Sequence, residues 1–561
     1  MNIKQTYLNI KSVIPANKRL KIKHFIYKSI LFAFLDLISI SLLIPVITLL
    51  FNPEKIKELD VKYFAFNLDI SSLQVQLFLG SLLVFYLAKI ILQTKFNTSL
   101  YIFFYNLATE ITIESTNNFV FQSYTKHQYL NKGKIIQDIN TIPEDFSCKF
   151  LLSFVNLLTE TIVMSAILII LLIAYFKLTL IAVFVLFLLA TLMYLNKKKQ
   201  LNLINSIYQE SQAKSNSELL NILNGYLEIR NSGNYAVFLE RFKKEKKILN
   251  EVTGKLISFN SNYSKYLEFA LIISLVLFTL INIDNKDTII LLTIFGTSSL
   301  RLIPSISKIL NAITLIKTYR YSLDILLNDE KKNVINNRKM HYARQFELKN
   351  ISFDYDGNSI LENINLKIGK GSFIGIKGDS GIGKTTLLYI ILGIIKPKKG
   401  NCFIDNIKIE NYDFLPFANY VPQQPFLFNG TILENIVLGQ KANEVDYNYI
   451  YYLCRKLDLH DIIEKMEQRY ETEIILESSR LSGGQKQRLA LVRALYTKPS
   501  LLILDEATNQ QDKHLEKKIF TFLKELNQKE NLTIVAVSHD NDNDIYYKNI
   551  YKIENKNLTL L

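Results

Sequence analysis

GDSGIGKTT, which occupies Gly378 to Thr386, is the stretch from which the rest of the chain can be interpreted. It matches the phosphate-binding loop pattern G-x-x-x-x-G-K-[ST]. The apolar run FIGIK before it predicts a buried strand, and LLYIILGII after it predicts a helix. This order lets backbone N–H groups wrap around phosphates at the start of a helix. The residues predicted to bind phosphate are Gly378, Asp379, Ser380, Gly381, Ile382, Gly383, Lys384, Thr385 and Thr386.

Two side chains of this loop and two downstream acids predict phosphate chemistry. Lys384 is expected to reach the terminal phosphates, and the Thr385 hydroxyl to bind Mg²⁺. LLILDE reads as a buried strand that ends in Asp505 and Glu506. Asp505 is placed to hold Mg²⁺ and Glu506 to polarise an attacking water. The simpler alternatives are a glycine-rich turn and two acids that cap the next helix.

A second anion-binding helix start is predicted at LSGGQ, Leu481 to Gln485. Ser482 and the N–H groups of Gly483 and Gly484 would line it. One domain does not need two such sites for one triphosphate. The pattern therefore favours a site that serves a nucleotide held by another copy.

The composition points to a membrane. Of 561 residues 49% are hydrophobic, and the mean hydropathy is +0.13. This apolar excess is concentrated in the first three-fifths of the chain. The net charge is +15, and the basic residues lie mostly in the gaps between apolar segments. This distribution favours a membrane protein over a nucleic-acid-binding protein. The three cysteines show neither a disulfide framework nor metal-ligand spacing.

Six apolar segments are long enough to be candidate transmembrane helices, although each alone could be a buried helix of a soluble core. They cover about 25–51, 73–92, 150–175, 178–195, 266–283 and 288–315. The gaps that are rich in basic residues predict that both termini lie in the cytoplasm. Two long polar gaps, 96–149 and 196–265, predict helical extensions into the cytoplasm or, alternatively, solvated loops.

The fold class that follows is an α-helical polytopic membrane domain with six transmembrane helices, fused to a cytoplasmic α/β P-loop ATPase domain. The predicted boundaries are 1–327 for the membrane domain, 328–344 for a linker and 345–561 for the ATPase domain.

Basic residues within the apolar segments suggest a cationic cavity for an anionic substrate. Lys89 and Lys265 could instead snorkel to the interface. Glu54 to Leu68 fits either a short amphipathic helix at the outer surface or a plain loop. The four cavity candidates are Lys89, Lys265, Arg301 and Lys308.

From about Phe346 to Leu561 the order of motifs resembles the ATP-binding cassette (ABC) proteins. The motifs are Tyr355, the phosphate loop, Gln423, LSGGQ, Asp505–Glu506, Asp512 and His539. The resemblance implies an adenine-stacking role for Tyr355 and a γ-phosphate contact for His539. It makes Gln423 a link between Mg²⁺, the attacking water and the membrane domain, and Glu506 the catalytic base.

The same resemblance implies two cassettes that close head to tail on two ATP molecules, hence a homodimer. Ser482, Gly483, Gly484, Gln485 and Asp512 would then contribute to nucleotide binding. Two departures stand out. The family often has Ser-Ala-Leu where this chain has Asn509, Gln510 and Gln511, and the stretch 474–480 lacks the usual glycines.

Within the exporter branch, the membrane half is similar to PglK-type lipid-linked oligosaccharide flippases of the bacterial cytoplasmic membrane. The similarity rests on FLDLISISLLIPVITLL, the stretch near Glu54 to Leu68, VFYLAK, KYLE and RLIPS. It implies that the basic positions face a pyrophosphate-linked glycan. An exporter of lipids, drugs or peptides is the alternative. An ATP-gated channel or regulator is a third, which intact Glu506 and His539 disfavour.

Overall fold

The computed structural model forms two compact units. One comprises 1–122 and 129–333, and the other comprises 123–128 and 334–561. The residues that the structure describes are 3–42, 72–121, 124, 131–174, 176, 179–180, 191, 206–281, 288–328, 342–409, 415–475, 481–538 and 540–561.

The first unit is helical wherever it is described. The long helices form in stretches that are largely apolar and contain few helix breakers. Pro304 lies inside the last of them. The helices are α1 (Ile3–Val13), α2 (Ala16–Ser41), α3 (Ser72–Val120), α4 (Lys132–Ile136), α5 (Ile142–Glu144), α6 (Leu152–Ala174), α7 (206–224), α8 (Tyr226–Ser232), α9 (Tyr235–Ile281) and α10 (Thr288–Asn328). Two π-helical turns, Gln137–Thr141 and Asp145–Leu151, join α4, α5 and α6.

Two stretches among the described residues are long and apolar enough to cross a membrane, Gln76–Val120 and Lys132–Ile173. They include most of the second and third predicted spans, residues 76–92 and 150–173. The helices α2, α9 and α10 cover the described parts of the first, fifth and sixth. Most of the fourth span, and the stretch from Glu54 to Leu68, lie outside the described residues.

The two long polar gaps, 96–149 and 196–265, are largely helical where the structure describes them. Helix α3 continues past its apolar part to Val120, and α7 to α9 carry most of the second extension. An aromatic core ties α3 to the second π-helical turn, because Phe104, Phe146 and Phe150 are fully buried there. Burial of such side chains contributes about 1.5–3 kcal/mol each.

The second unit is α/β. Its strands are β1 (Gln345–Tyr355), β2 (Asn358–Gly369), β3 (Phe373–Lys377), β4 (Lys399–Ile404), β5 (Ile407–Lys408), β6 (Ala418–Val421), β7 (Gly430–Thr431), β8 (Glu473–Ile474), β9 (Leu501–Asp505), β10 (Thr533–Val537), β11 (Asn549–Glu554) and β12 (Asn557–Leu560). Its helices are α11 (Lys384–Ile391), α12 (Ile432–Val437), α13 (Tyr447–Lys456), α14 (His460–Glu464), α15 (Gly483–Tyr496) and α16 (Lys513–Lys529).

The main sheet has the order β12-β11-β3-β10-β9-β6. All neighbours in it are parallel except β11 and β12. Strands β9 and β10 are buried along their whole length, as parallel strands covered on both faces must be. A second, antiparallel sheet has the order β2-β1-β4-β5.

This topology brings the sequence motifs to one edge. Strands β3 and β9 flank β10 in parallel, so the phosphate loop and the Asp505–Glu506 pair follow the carboxyl ends of two strands that are separated by one strand. Open α/β sheets bind ligands at this edge. Helix α11 fixes the loop, because its apolar side chains share one buried core with strands of both sheets.

Candidate functional site

The phosphate loop has the backbone that its glycines allow. Gly378, Gly381 and Gly383 have φ angles of +152°, +80° and +106°. A Cβ atom on Gly383 would lie 2.7 Å from the Cγ2 atom of Ile360. Only glycine adopts these angles without strain, so the loop keeps a tight cradle at the start of α11.

Lys384 lies across this cradle. Its ammonium donates to the carbonyl oxygens of Gly378 at 2.8 Å and Asp379 at 3.0 Å. The side chain is thereby held over the loop, where it would meet the phosphates of a nucleotide.

Thr385 and Asp505 are brought together as the sequence predicts. The Thr385 hydroxyl donates to Asp505 Oδ2 at 3.1 Å, and the Tyr420 hydroxyl donates to the same oxygen at 2.9 Å. Burial raises the pKa of Asp505, against the hydrogen bonds from Tyr420 and Thr385. Burial and the charge of Asp505 also raise the pKa of Tyr420, which therefore acts as a donor.

Glu506 stands beside this pair in an unusual backbone conformation, with φ of +51°. Left-handed backbone at a non-glycine residue costs free energy and is concentrated at functional sites. Its Oε2 atom accepts from Gln423 Nε2 at 2.7 Å and from Asn509 Nδ2 at 2.9 Å. Gln423 and Glu506 are therefore directly hydrogen-bonded, and Asn509 donates to the same carboxylate oxygen.

The signature segment begins helix α15 as expected. Ser482 and Gln485 form a reciprocal capping box, in which each side chain accepts from the other's backbone N–H. Ser482 and Gly483 are exposed. Asp512 caps α16 by accepting from the N–H of Leu515 at 2.8 Å.

An amide network links this segment to the Glu506 loop. Buried Gln487 donates to the backbone oxygen of Gln423 at 3.0 Å and accepts from the backbone N–H of Gln510 at 3.3 Å. Gln511 donates to Gln487 at 3.2 Å and to the Gly484 carbonyl at 2.9 Å. The network holds the Glu506 loop against the start of α15.

Two predicted site residues remain, Tyr355 and His539. Tyr355 ends β1, half-buried, with its ring edge-on to Phe353 at 4.9 Å between centroids. His539 lies outside the described residues, as do residues 476–480 before the signature.

These residues fit a magnesium-bound nucleotide. The hydroxyl of Thr385, the carboxylate of Asp505 and the side-chain amide of Gln423 are oxygen donors of the kind that Mg²⁺ prefers. The glycine cradle and Lys384 offer N–H groups and a positive charge to phosphates.

Residues 361–509, which include the phosphate loop, the signature and Glu506, match the family described as "ABC transporter". The chain carries an ABC transporter ATPase domain.

Curated relatives match the same part of the chain. The "Transport/processing ATP-binding protein ComA" of Streptococcus pneumoniae is 36% identical over 217 residues, which are 38% of this chain and 29% of that protein. The "ABC multidrug transporter E" of Aspergillus fumigatus is 37% identical over 199 residues, 34% of this chain and 16% of that protein. The "Lactococcin-A transport/processing ATP-binding protein LcnC" of Lactococcus lactis is 37% identical over 196 residues, which are 34% of this chain and 27% of that protein. The chain thus matches less than a third of the length of these relatives.

A solved structure extends the likeness to both units at the level of fold. The "Structure of a bacterial Atm1-family ABC exporter with ATP bound" superposes with a TM-score of 0.76 at 18% identity. The superposition covers 96% of this chain and 95% of the chain in that structure. The protein therefore has an exporter fold, with a helical unit and an ABC ATPase domain.

Sequence reasoning missed three residues around the ATPase site, Tyr420, Asn509 and Gln487. For Asn509 a signal existed, since the Asn-Gln-Gln stretch departs from the usual Ser-Ala-Leu. Tyr420 and Gln487 carry no such signal, because their roles depend on neighbours that are distant in the chain.

In the helical unit the structure brings three of the four predicted basic residues into one charge network. Lys89 pairs with Asp36 at 2.8 Å, and Arg301 pairs with Asp36 at 3.1 Å and Glu160 at 3.5 Å. Lys308 pairs with Glu160 at 2.8 Å.

Four helices therefore meet through this network: α2 with Asp36, α3 with Lys89, α6 with Glu160 and α10 with Arg301. Ser305 completes it by donating to Glu160 at 2.7 Å. The fourth candidate, Lys265, is exposed on α9. The sequence analysis did not identify Asp36 and Glu160 as the partners of these basic residues.

Proposed function

We propose that the protein is an ATP-driven exporter that works as a homodimer in the bacterial cytoplasmic membrane, with its ABC domain in the cytoplasm. The observation that carries the proposal is the convergence of the phosphate loop, Asp505 and the Gln423–Glu506 pair at one sheet edge. Mg²⁺ would be held by Thr385, Asp505 and Gln423. It would supply charge neutralisation on the phosphates.

Glu506 would act as the base that polarises the attacking water. Its carboxylate is already oriented, since Gln423 and Asn509 both donate to one of its oxygens. A base held in this way loses little orientational freedom when the nucleotide binds.

The second chain would complete each site. The exposed start of α15, with Ser482 and Gly483, offers N–H groups and the positive end of a helix dipole. An ATP molecule bound at one chain's phosphate loop would meet this surface of the other chain.

For the cargo we propose an anionic lipid, specifically a polyprenyl-pyrophosphate-linked glycan. The support is the charge balance of the network in the helical unit: three cations face two carboxylates there. The excess positive charge is closest to solvent at Lys308, whose side chain is 55% exposed. A pyrophosphate would compete with Glu160 for Lys308 and Arg301.

Export of peptides or drugs is the second candidate. The names of the matching relatives favour it, since they describe lactococcin transport and multidrug transport. Such cargo would not depend on a cation at position 308.

The test is transport by the full chain in proteoliposomes that contain a fluorescent polyprenyl-pyrophosphate saccharide. We expect ATP-dependent movement of this lipid, reduced about tenfold by Lys308→Gln, which removes one charge-assisted contact. Lys265→Gln is the matched control, because Lys265 is exposed and outside the network. A neutral lipid of the same chain length checks the charge requirement.

Two results would count against the lipid proposal. One is equal transport of the charged and the neutral lipid. The other is an equal effect of Lys308→Gln and Lys265→Gln, which would leave the peptide or drug exporter as the better account.

A further inference from the structure

Three tyrosines form a column that ends at the magnesium-binding carboxylate. Tyr420, on the edge strand β6, donates its hydroxyl to Asp505 Oδ2 at 2.9 Å. The ring of Tyr389, on α11, meets the ring of Tyr420 edge to face, with centroids 5.8 Å apart. The ring of Tyr124 meets that of Tyr389 in the same manner at 4.9 Å, and its hydroxyl donates to the Tyr389 hydroxyl at 3.3 Å.

The lower end of the column fixes one carboxylate oxygen. Tyr420 and Thr385 both donate to Oδ2 of Asp505. Two donors on one oxygen set the rotation of the carboxylate plane. If the Thr385 hydroxyl served as a metal ligand, the hydrogen bond from Tyr420 would still hold Asp505 in place.

Tyr124, at the end of the column away from Asp505, comes from a part of the chain that is distant in sequence from Tyr389 and Tyr420. Tyr124 lies in the segment 123–128, which is part of the ATPase unit although the chain on both sides of it belongs to the helical unit. Edge-to-face aromatic pairs stabilise a structure beyond the apolar area that they bury. Tyr124 and Tyr389 therefore restrict the ring of Tyr420.

We propose that Tyr420 is a positioning residue for the Mg²⁺ ligand Asp505, and that Tyr389 and Tyr124 brace it, so that metal affinity depends on Tyr124. The proposal rests on Mg²⁺·ATP binding at the proposed site. This positioning role can be tested separately from ATP hydrolysis, because it concerns the orientation of the Asp505 carboxylate before any reaction.

The experiment measures metal binding directly, with Mn²⁺ as an EPR-active substitute for Mg²⁺. The full chain carries Glu506→Gln, so that ATP persists, and Mn²⁺ is titrated in the presence of saturating ATP. Tyr420→Phe is expected to weaken Mn²⁺ binding roughly tenfold, the effect of one hydrogen bond to a charged group. Tyr124→Ala is expected to weaken it about threefold through the lost ring contact.

Two controls separate positioning from general damage. Tyr551→Phe removes a hydroxyl from another partly buried tyrosine that packs on the same core, and should leave Mn²⁺ binding unchanged. Binding of a fluorescent ATP analogue in EDTA should be the same for Tyr420→Phe and its parent.

The outcomes are distinguishable. If the parent protein binds no Mn²⁺ with ATP, the proposed function itself fails. If the parent binds Mn²⁺ and Tyr420→Phe matches Tyr551→Phe, the positioning role is overturned. A loss of analogue binding in EDTA equal to the loss of Mn²⁺ binding would also overturn it, since the tyrosine would then support the nucleotide pocket as a whole.

Discussion

Replacing Asp36 by asparagine should destabilise the helical unit, because it removes one carboxylate from two cations at once. Asp36 pairs with Lys89 at 2.8 Å and Arg301 at 3.1 Å, and all three side chains are only 12–14% exposed. Asparagine keeps the shape but not the charge. Arg301 would retain Glu160 at 3.5 Å, whereas Lys89 has no other carboxylate partner in the described part of the chain.

The size of the effect follows from this asymmetry. Removing one partner of a buried ion pair lowers the free energy of unfolding by about 3–5 kcal/mol. Because Arg301 keeps Glu160 as a partner, we expect Asp36→Asn to lie at the lower end of this range, about 3 kcal/mol. For a large domain, 1 kcal/mol corresponds to roughly 2 °C in Tm, so we expect a drop of about 6 °C.

The assay is thermal unfolding of the purified protein in detergent, followed by a dye that reacts with cysteines as they become exposed, Cys148 among them in the helical unit. The double variant Asp36→Asn/Lys89→Met should recover most of the loss, because it leaves no unpaired lysine. Lys243→Gln breaks an exposed pair with Glu240 and should shift Tm by less than about 1 °C.

Two results would refute this reasoning. The first is an Asp36→Asn variant as stable as Lys243→Gln. The second is a double variant whose loss equals the sum of the single losses, which would mean that Asp36 and Lys89 do not interact.

Three further predictions concern the ATPase domain. Gly383→Ala should abolish binding of a fluorescent ATP analogue, since its φ of +106° and the close isoleucine side chain exclude a Cβ atom. Asn509→Ala should lower kcat for ATP hydrolysis about tenfold with little change in KM, because one of two donors that orient Glu506 is lost. Burial alone would raise the pKa of Asp405, but hydrogen bonds from three backbone N–H groups of 343–345 hold it below its usual value. The stability this adds is present above about pH 4 and is lost as the pH falls through the lower folded pKa, so the difference between Asp405→Asn and the parent in urea titrations should be full at pH 7 and shrink as the pH is lowered below about 4.

The parts of the site that could be predicted are those in which local sequence fixes the backbone. The phosphate loop is an example, because Gly378 and Gly383 need positive φ angles and the flanking apolar runs form a strand and a helix. The capping box of Ser482 and Gln485 is equally local.

Pairings between distant segments could not be predicted. Arg301 lies on α10, and its partners lie on α2 and α6, so only helix packing reveals that Asp36 and Glu160 balance it. Three of the four basic residues from which the sequence predicts a cationic cavity therefore have acidic partners in the structure. Tyr420 likewise meets Asp505 only because β6 pairs with β9 in the sheet.

The most direct test of the central claim is phosphate release from ATP by the full chain in liposomes, compared with the Glu506→Gln variant. The variant should bind a fluorescent ATP analogue as tightly as the parent and hydrolyse ATP at least about a hundredfold more slowly, since it keeps the site but lacks the base. Phosphate release by Glu506→Gln at the rate of the parent would contradict the account.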